Sequence, residues 1–339
     1  MKSGKIAVAL IGAGRAGLIH ARNLKRGVPY AELIAVADPM EAAASGAAKE
    51  LGLERYTTDY HELLCDDLID AVIIATPTKY HCQIVIDFAK AGKHILCEKP
   101  MAMTVAECEQ MEQAVKECGV KLQLAFMRRF DPSFQAAKQA VVAGSIGDVV
   151  MVRSNTRGPS TPKPWMYDIS KSNGPLAEVN SHDIDTVRWF TQSEFKTVHA
   201  IAGNYRCPDA RVEFPDFYDN VVMLSEMENG VQGMIDGAQG VRYGYDARVE
   251  ILGTCGCIYL GRQNENNMVL VTADQCRKNE FVQSWMYLFK DAYFEEDCAF
   301  IRCILEDRTP DVTGYDGKMA VRVVNAGNRS IREKQIITL

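Results

Sequence analysis

A chain of 339 residues is long enough for about two domains of ordinary size, and its 47% hydrophobic and 24% charged residues are typical of a globular protein. The formal net charge of −6, with basic residues scattered along the chain, argues against nucleic acid as a partner. No stretch approaches the roughly 18 consecutive apolar residues of a membrane span, and the 11 cysteines include no C-x-x-C pair, so we expect a cytoplasmic protein with reduced thiols and no metal site.

The first 125 residues alternate strand-like and helix-like segments. The predicted strands are residues 6–11, 33–37, 71–75, 94–97 and 122–125. The predicted helices are residues 15–25, 40–51, 83–91 and 105–118. Short buried strands separated by helices predict an α/β fold with a parallel, doubly wound sheet, and we assign this first domain to residues 1–125.

The pattern changes after Pro132, where a predicted helix ends near Gly144. Beyond it strands predominate, at residues 149–156, 197–202, 220–227, 231–237, 247–252 and 268–272. Glu228-Asn229-Gly230 separates two of these strands and is a hairpin turn signal. We therefore predict a second, α+β domain over residues 126–339, with an open and mostly antiparallel sheet.

A glycine-rich segment, Gly12-Ala13-Gly14-Arg15-Ala16-Gly17, follows the first predicted strand and begins the first predicted helix. In a G-x-G-x-x-G motif the glycines permit a tight turn, close approach of the backbone to a pyrophosphate, and close helix–strand packing. The N-terminus of the helix attracts the phosphates. The second predicted strand leads to Asp38, about 20 residues further on, as a dinucleotide site requires.

Asp38 also bears on which dinucleotide is bound. Its carboxylate can accept hydrogen bonds from the ribose hydroxyls of NAD, whereas it would repel the 2′-phosphate of NADP. The residues that follow are Pro39 and Met40, so no basic residue stands beside it to hold that phosphate. The sequence therefore favours NAD over NADP.

The predicted strand at 94–97 runs into Glu98-Lys99-Pro100. An isolated lysine is usually a solvated surface residue, but a lysine at the carboxyl end of a parallel strand faces the ligand crevice. Glu-Lys-Pro at this point resembles the signature of the glucose–fructose oxidoreductase and inositol dehydrogenase family. Two further segments extend the resemblance over nearly the whole chain, Ala125-Phe126-Met127-Arg128-Arg129-Phe130-Asp131 and Asp311-Val312-Thr313-Gly314-Tyr315-Asp316-Gly317.

A second group of polar residues follows Gly174-Pro175, a plausible helix start. On one continuous helix, Glu178, His182, Asp185 and Trp189 would fall within a sector of about 60°. The opposite side would be apolar, with Leu176, Val179, Val187 and Phe190. On the residues alone this polar face is most simply a solvated surface, whereas the family resemblance implies a helix that lines the cleft opposite the nicotinamide.

The resemblance further implies that Lys99 and His182 are the catalytic pair. The imidazole of His182 would remove the proton of a secondary hydroxyl while hydride leaves the same carbon, and Lys99 would stabilise the negative charge on that oxygen. Asp185 and Glu178 would bind neighbouring hydroxyls of the substrate. Glu178 departs from the aspartate usual in inositol dehydrogenase relatives, which weakens the case for myo-inositol. Arg128 would approach the cofactor or substrate, a structural ion pair being the alternative.

The resemblance also places residues beside the cofactor. Thr76-Pro77 and His81 resemble the segment next to the nicotinamide ribose, although His81 is equally well explained as a surface residue at a helix start. Glu98 and Lys99 would complete the cofactor contacts made by the glycine loop. Related Glu-Lys-Pro loops lead us to expect a cis Lys99–Pro100 peptide.

The function that this resemblance implies is reversible, NAD-dependent oxidation of a ring hydroxyl of a sugar or cyclitol to a ketone. Two alternatives remain: redox-assisted glycoside cleavage with retained NAD, and a non-catalytic NAD-binding regulator, against which the intact Lys99 and His182 argue. The expected partner is thus a small polyol or sugar. A free sheet face, together with the dimers and tetramers usual in the family it resembles, favours a homodimer or homotetramer.

Overall fold

The computed structural model describes residues 4–339. Its strands are β1 (Ile6–Ile11), β2 (Ala31–Ala37), β3 (Tyr56–Thr57), β4 (Ala71–Ile74), β5 (His94–Glu98), β6 (Leu122–Ala125), β7 (Val149–Gly158), β8 (Phe195–Gly203), β9 (Asn220–Met227), β10 (Gln232–Gln239), β11 (Asp246–Gly253), β12 (Cys257–Leu260), β13 (Leu270–Val271), β14 (Arg277–Lys278) and β15 (Ile337–Thr338). Its helices are α1 (Arg15–Arg26), α2 (Glu41–Leu51), α3 (His81–Lys90), α4 (Val105–Cys118), α5 (Pro132–Val142), α6 (Ile169–Ser172), α7 (Gly174–Glu178), α8 (Ser181–Thr191), α9 (Ala210–Glu213), α10 (Trp285–Leu288), α11 (Lys290–Leu305) and α12 (Gly314–Glu333). Within this described part of the chain, no helix is both long and apolar enough to cross a membrane.

The first compact unit runs to Asp131 and also takes in Asp291–Val321. Its sheet has the order β3-β2-β1-β4-β5-β6 with parallel neighbours throughout. The order reverses between β1 and β4, the point at which doubly wound sheets bind their ligands. The parallel sheet is confirmed, with predicted strand bounds within a few residues; the two-residue β3 was not predicted.

The segment 291–321 belongs to this first unit, although the sequence interpretation had placed it with the second domain. Phe300 and Ile301 of α11 are buried in the core cluster of the sheet, and the Leu124 N–H donates to the Val312 carbonyl at 3.1 Å. The acidic residues of α11 make the helix look solvent-exposed in the sequence, so its buried face was not predicted. A contact between segments so far apart leaves no local pattern in the sequence, so the return of the chain to the first unit could not be predicted.

The second unit comprises Pro132–Lys290 and Arg322–Leu339. Its sheet has the order β12-β11-β7-β10-β9-β8-β15, in which only β7 and β10 pair in parallel. This confirms the mixed, mostly antiparallel sheet.

One face of this second sheet carries exposed apolar side chains. Ile201 pairs with Val222 across β8 and β9, and both are exposed, as is Leu224 on the same side of β9. Ala200 of β8 and Val221 and Met223 of β9, which alternate with them, are buried. This alternation leaves a free apolar face. The expected homodimer or homotetramer stays a prediction.

Candidate cofactor-binding and catalytic residues

The turn after β1 is held against the end of β4. Gly12 has φ of 99°, and its N–H donates to the Ala37 carbonyl at 2.8 Å. A Cβ at this position would lie 2.7 Å from the Ala75 carbonyl oxygen and 2.9 Å from the Thr76 nitrogen. Both the left-handed backbone and the lack of space therefore require glycine at the start of the loop.

The other two glycines of the motif differ from each other. A Cβ on Gly17 would overlap the Gly12 carbonyl oxygen and lie 3.2 Å from Leu10 Cδ1, so glycine here permits α1 to pack closely on β1. Gly14 precedes α1 in an extended conformation, and nothing lies within 4 Å of a Cβ built on it.

The surroundings of Gly14 fit the pyrophosphate of a dinucleotide. The first turn of α1, which contains Arg15 and Ala16, has no acidic residue and no side-chain cap, so its N–H groups are available to bind an anion. The geometry of the whole loop therefore matches the three roles of the glycines in a dinucleotide site.

Asp38 follows β2 and ties the glycine loop to that strand. One carboxylate oxygen accepts the Ala13 N–H at 2.8 Å, and the other accepts the Met40 N–H at 2.9 Å. Each carboxylate oxygen can accept a further hydrogen bond, so the side chain keeps capacity for ribose hydroxyls. Asp38 thus has a structural role that the sequence did not reveal, in addition to its predicted contact with NAD.

His81 is buried, which contradicts its alternative interpretation as a surface residue. Its ring nitrogens lie 2.8 Å from the Thr76 carbonyl oxygen and 2.9 Å from the Pro100 carbonyl oxygen. Burial lowers the pKa of His81, although both carbonyls act in the opposite direction. The residue therefore joins the segments that follow β4 and β5. The contact of Thr76, Pro77 and His81 with the nicotinamide ribose stays a prediction.

Lys99 follows the last residue of β5 and is half-buried. The Lys99–Pro100 peptide is cis, as expected. Glu98 is 5% exposed, and one of its carboxylate oxygens accepts the Lys99 main-chain N–H at 3.0 Å. The other oxygen lies 3.3 Å from Nε2 of His20. The expected contact of Glu98 with the cofactor stays a prediction, but its carboxylate lies within the protein core.

Two motifs that carry the family resemblance are linked in the first unit. In the turn after β6, Arg129 forms an ion pair with Asp316 at 2.8 Å, and the other oxygen of Asp316 accepts the Thr313 N–H at 2.9 Å. Arg128, in the same turn, is 2% exposed. The Arg129–Asp316 pair therefore has a structural role, and the contact of Arg128 with cofactor or substrate stays a prediction.

In the second unit, the predicted continuous helix from Gly174-Pro175 is wrong. Glu178 ends α7 and α8 begins at Ser181, so Glu178 does not share a helix with His182. Asn180 breaks the helix, with φ of −90° and ψ of 1°. Its side-chain amide donates to Asp183 at 2.8 Å and to the Asp236 carbonyl at 3.4 Å. Asparagine side chains that bond nearby groups in this way compete with a continuous helix.

Asp183 fixes the beginning of α8 on β7. Its buried carboxylate accepts the hydroxyl of Ser154 at 2.5 Å and that of Thr156 at 3.0 Å, in addition to the Asn180 amide. Gly237 on β10 leaves the space that the Asn180 side chain occupies. Sequence reasoning missed these residues; the nearest signal was Asn180 three positions before Asp183 at a helix start.

His182 and Asp185 are 6% and 1% exposed, so the polar side of α8 is not a solvated surface. Arg188 lies 3.9 Å from the Asp185 carboxylate and makes two hydrogen bonds to Glu194, at 2.7 and 2.5 Å. Arg188 thereby limits the movement of Asp185. The Thr186 hydroxyl donates to the His182 carbonyl at 2.7 Å, a bond within α8.

The cysteines form no metal site in the described residues, where no group of three or more potential ligands was found. Cys257 begins β12, and Cys255 precedes that strand.

A parallel sheet of this order, with a glycine loop at its switch point and an acid after β2, defines a dinucleotide-binding domain. Residues 6–126 match the family described as "Oxidoreductase family, NAD-binding Rossmann fold", and residues 134–259 match the GFO/IDH/MocA C-terminal domain.

Individual relatives agree with these matches over nearly the full chain. The myo-inositol 2-dehydrogenase of Thermotoga maritima is 34% identical, with 98% of each chain covered. The scyllo-inositol 2-dehydrogenase (NAD(+)) of Bacillus subtilis is 33% identical, covering 99% of this chain and 96% of that one. A crystal structure of scyllo-inositol dehydrogenase from Lactobacillus casei with bound NAD(H) and scyllo-inositol superposes with a TM-score of 0.90 at 29% identity, covering 98% of this chain and 99% of that one. The chain belongs to the GFO/IDH/MocA oxidoreductase family, which confirms the resemblance.

Proposed function

We propose that this protein is an NAD-dependent dehydrogenase that oxidises one secondary hydroxyl of an inositol-like cyclitol, or of a related sugar ring, to a ketone. The observation that carries the proposal is the position of Lys99 at the carboxyl end of β5, on the sheet edge that also bears the glycine loop after β1 and Asp38 after β2. Inositol dehydrogenases among the relatives support the substrate class.

The residues present fit NAD. The backbone around Gly14 would hold the pyrophosphate, and Asp38 would accept the ribose hydroxyls. When bound, NAD supplies the acceptor for hydride. NADP is less favoured because Asp38 is an acid with no neighbouring base.

The chemistry at the substrate requires two groups of the protein to act on one hydroxyl. His182 takes the proton as the O–H bond breaks, the carbon loses hydride, and the C=O bond forms. Lys99 donates a hydrogen bond to the same oxygen and stabilises the negative charge that develops there. Asp185, Glu178 and Arg128 would bind the remaining substrate hydroxyls and so determine which carbon reacts.

A panel of inositols, free sugars and glycosides with NAD, followed by the absorbance of NADH, tests this function. We expect NADH formation with at least one inositol or sugar, and very slow reduction when NADP replaces NAD. Cleavage of a glycoside without net NADH would instead indicate the redox-assisted reaction. Tight NAD binding with no turnover of any compound would indicate a regulator.

Single and double variants test whether Lys99 and His182 act together. Removal of a general base costs about 10²–10⁴-fold in rate, so Lys99→Ala and His182→Ala should each lower kcat by that order. Because both groups serve the same oxygen, the double variant should be little slower than the poorer single one. All three should retain the NAD affinity of the wild type. Near-normal turnover of either single variant would contradict the assignment.

A further inference from the structure

Two buried ionisable side chains of the first unit, His20 and Asp297, have no part in the proposed chemistry. His20 on α1 is fully buried, with its Nδ1 2.6 Å from Asp297 Oδ1 and its Nε2 3.3 Å from Glu98 Oε1. Since both ring nitrogens face carboxylate oxygens, the ring can donate to both only as an imidazolium. Burial lowers the pKa of His20, but Asp297 and Glu98 outweigh it and raise that pKa well above its usual value.

Each oxygen of both carboxylates in this cluster makes a hydrogen bond. The second oxygen of Asp297 accepts the side-chain amide of Asn23, also on α1, at 2.8 Å. The second oxygen of Glu98 accepts the main-chain N–H of Lys99 at 3.0 Å. A continuous chain of hydrogen bonds thus runs from Asn23 through Asp297, His20 and Glu98 to the backbone of Lys99.

The groups around the chain define its charge. Burial raises the pKa of Glu98, but the hydrogen bond and charge of His20 and the charge of Lys99 bring it below the usual value, so Glu98 is ionised. Burial raises the pKa of the neighbouring Glu296 well above its usual value, and neither of its buried carboxylate oxygens has a hydrogen-bond partner among the described residues. The ring of Tyr293 meets that of His20 edge-on at 5.4 Å.

The arrangement is more specific than helix-to-sheet packing requires. Apolar contacts already attach α1 and α11 to the sheet, through Leu24 and Phe300 among others. A buried ion cluster adds little net stability compared with apolar residues of the same size, because its charges lose hydration. The cluster instead fixes an orientation, because the Glu98 carboxylate must be oriented to bond both His20 and the Lys99 N–H.

We propose that His20 and Asp297 are positioning residues for Lys99. They hold the Glu98 carboxylate, and Glu98 holds the main chain from which the lysine side chain extends. This proposal rests on the proposed function, in which Lys99 acts on the substrate hydroxyl. It assigns to the pair an effect on the chemical step, without a contact with cofactor or substrate.

The test compares His20→Gln, Asp297→Asn and the double variant with the wild type, after the panel has identified a substrate. The control is His94→Gln at the opposite end of β5, where the half-buried ring accepts the Lys121 N–H. We expect kcat to fall roughly tenfold or more in both His20→Gln and Asp297→Asn, the order of loss seen when side chains that orient metal ligands are removed. KM and the Kd for NAD should change less than about twofold. Because the residues form one network, the double variant should be no slower than the poorer single one.

Hydrogen exchange provides a second readout that needs no substrate. Pro100 has no amide N–H, so two peptides that share a start and end at Glu98 and at Pro100 differ in a single exchanging amide, the Lys99 N–H. Its exchange should accelerate in His20→Gln and Asp297→Asn but not in His94→Gln.

Several results would overturn the proposal. The first is an unchanged kcat together with an unchanged exchange rate of the Lys99 N–H in the two variants of an active enzyme. The second is a loss of activity that is fully explained by weaker NAD binding. The third is failure of both single variants to fold, which would assign His20 and Asp297 to stability. A wild type that oxidises no polyol would instead overturn the proposed function, and the exchange experiment would still test the hold on Lys99.

Discussion

The glycine loop allows the structural and ligand-binding roles of two neighbouring residues to be separated by the same substitution. Gly12→Ala places a methyl group 2.7 Å from the Ala75 carbonyl oxygen on a residue with φ of 99°. Gly14→Ala places the same methyl group where no protein atom lies within 4 Å, on a residue with φ of −77°.

The expected free energies of unfolding differ accordingly. For Gly12→Ala, the left-handed backbone costs about 1–2 kcal/mol and the overpacking about 1–3 kcal/mol, so we expect a loss of about 2–5 kcal/mol. For Gly14→Ala, a poorer N-cap costs about 0.5–1 kcal/mol, and reduced freedom of the unfolded chain offsets about the same amount. The apo stability of Gly14→Ala should therefore equal that of the wild type.

The affinity for NAD should be affected in the opposite way: Gly14→Ala should weaken NAD binding without a loss of stability. The methyl group of Gly14→Ala occupies space that we assign to the pyrophosphate, so its Kd for NAD should rise at least about tenfold, or about 1.4 kcal/mol, in a fully folded protein. Gly12→Ala should lose affinity only together with stability.

Denaturant unfolding of the apo proteins and calorimetric titration with NAD measure the two quantities. Wild-type NAD affinity in Gly14→Ala, or wild-type stability in Gly12→Ala, would refute the reasoning.

Two further substitutions address selectivity. Asp38→Ala should raise the ratio of kcat/KM with NADP to that with NAD, because it removes the acid that would repel the 2′-phosphate. Asp38→Asn keeps an acceptor for the Ala13 N–H and is the control for damage to the loop. An unchanged ratio in both variants would show that Asp38 does not contact the ribose. Glu178→Asp should alter the ranking of inositol epimers, measured as kcat/KM, more than the Kd for NAD, because it withdraws the carboxylate by about one bond length; weaker NAD binding with an unchanged ranking would place Glu178 beside the cofactor instead.

The parts of the fold that could be predicted are those that depend on neighbours in sequence. The end of β1, the glycine loop and the start of α1 form one continuous segment, and their conformation follows from residues such as Gly12 and Gly17. The apolar runs of the parallel strands are equally local, which explains why β1 and β6 were predicted with the observed bounds.

The parts that could not be predicted depend on buried polar contacts between distant segments. His20 and Asp297 are 277 residues apart, and neither stands in a recognisable pattern. The acids of α11 look like a solvated surface in the sequence, whereas Glu296 and Asp297 are buried. Likewise, Asn180 ends the expected helix because Asp183 is fixed by hydroxyls from β7, about 30 residues earlier.

Cofactor binding and substrate choice would depend on different features of the fold, the first on backbone geometry and the second on side chains. Cofactor binding depends on backbone geometry, which tolerates few changes at positions such as Gly12. Under the proposed function, substrate choice would depend on individual side chains of α7 and α8, and the start of α8 is fixed independently by Asp183. A change such as aspartate to Glu178 can therefore alter the hydroxyls that are recognised without disturbing the fold. Relatives at 33–34% identity include both a myo-inositol 2-dehydrogenase and a scyllo-inositol 2-dehydrogenase, which agrees with this expectation.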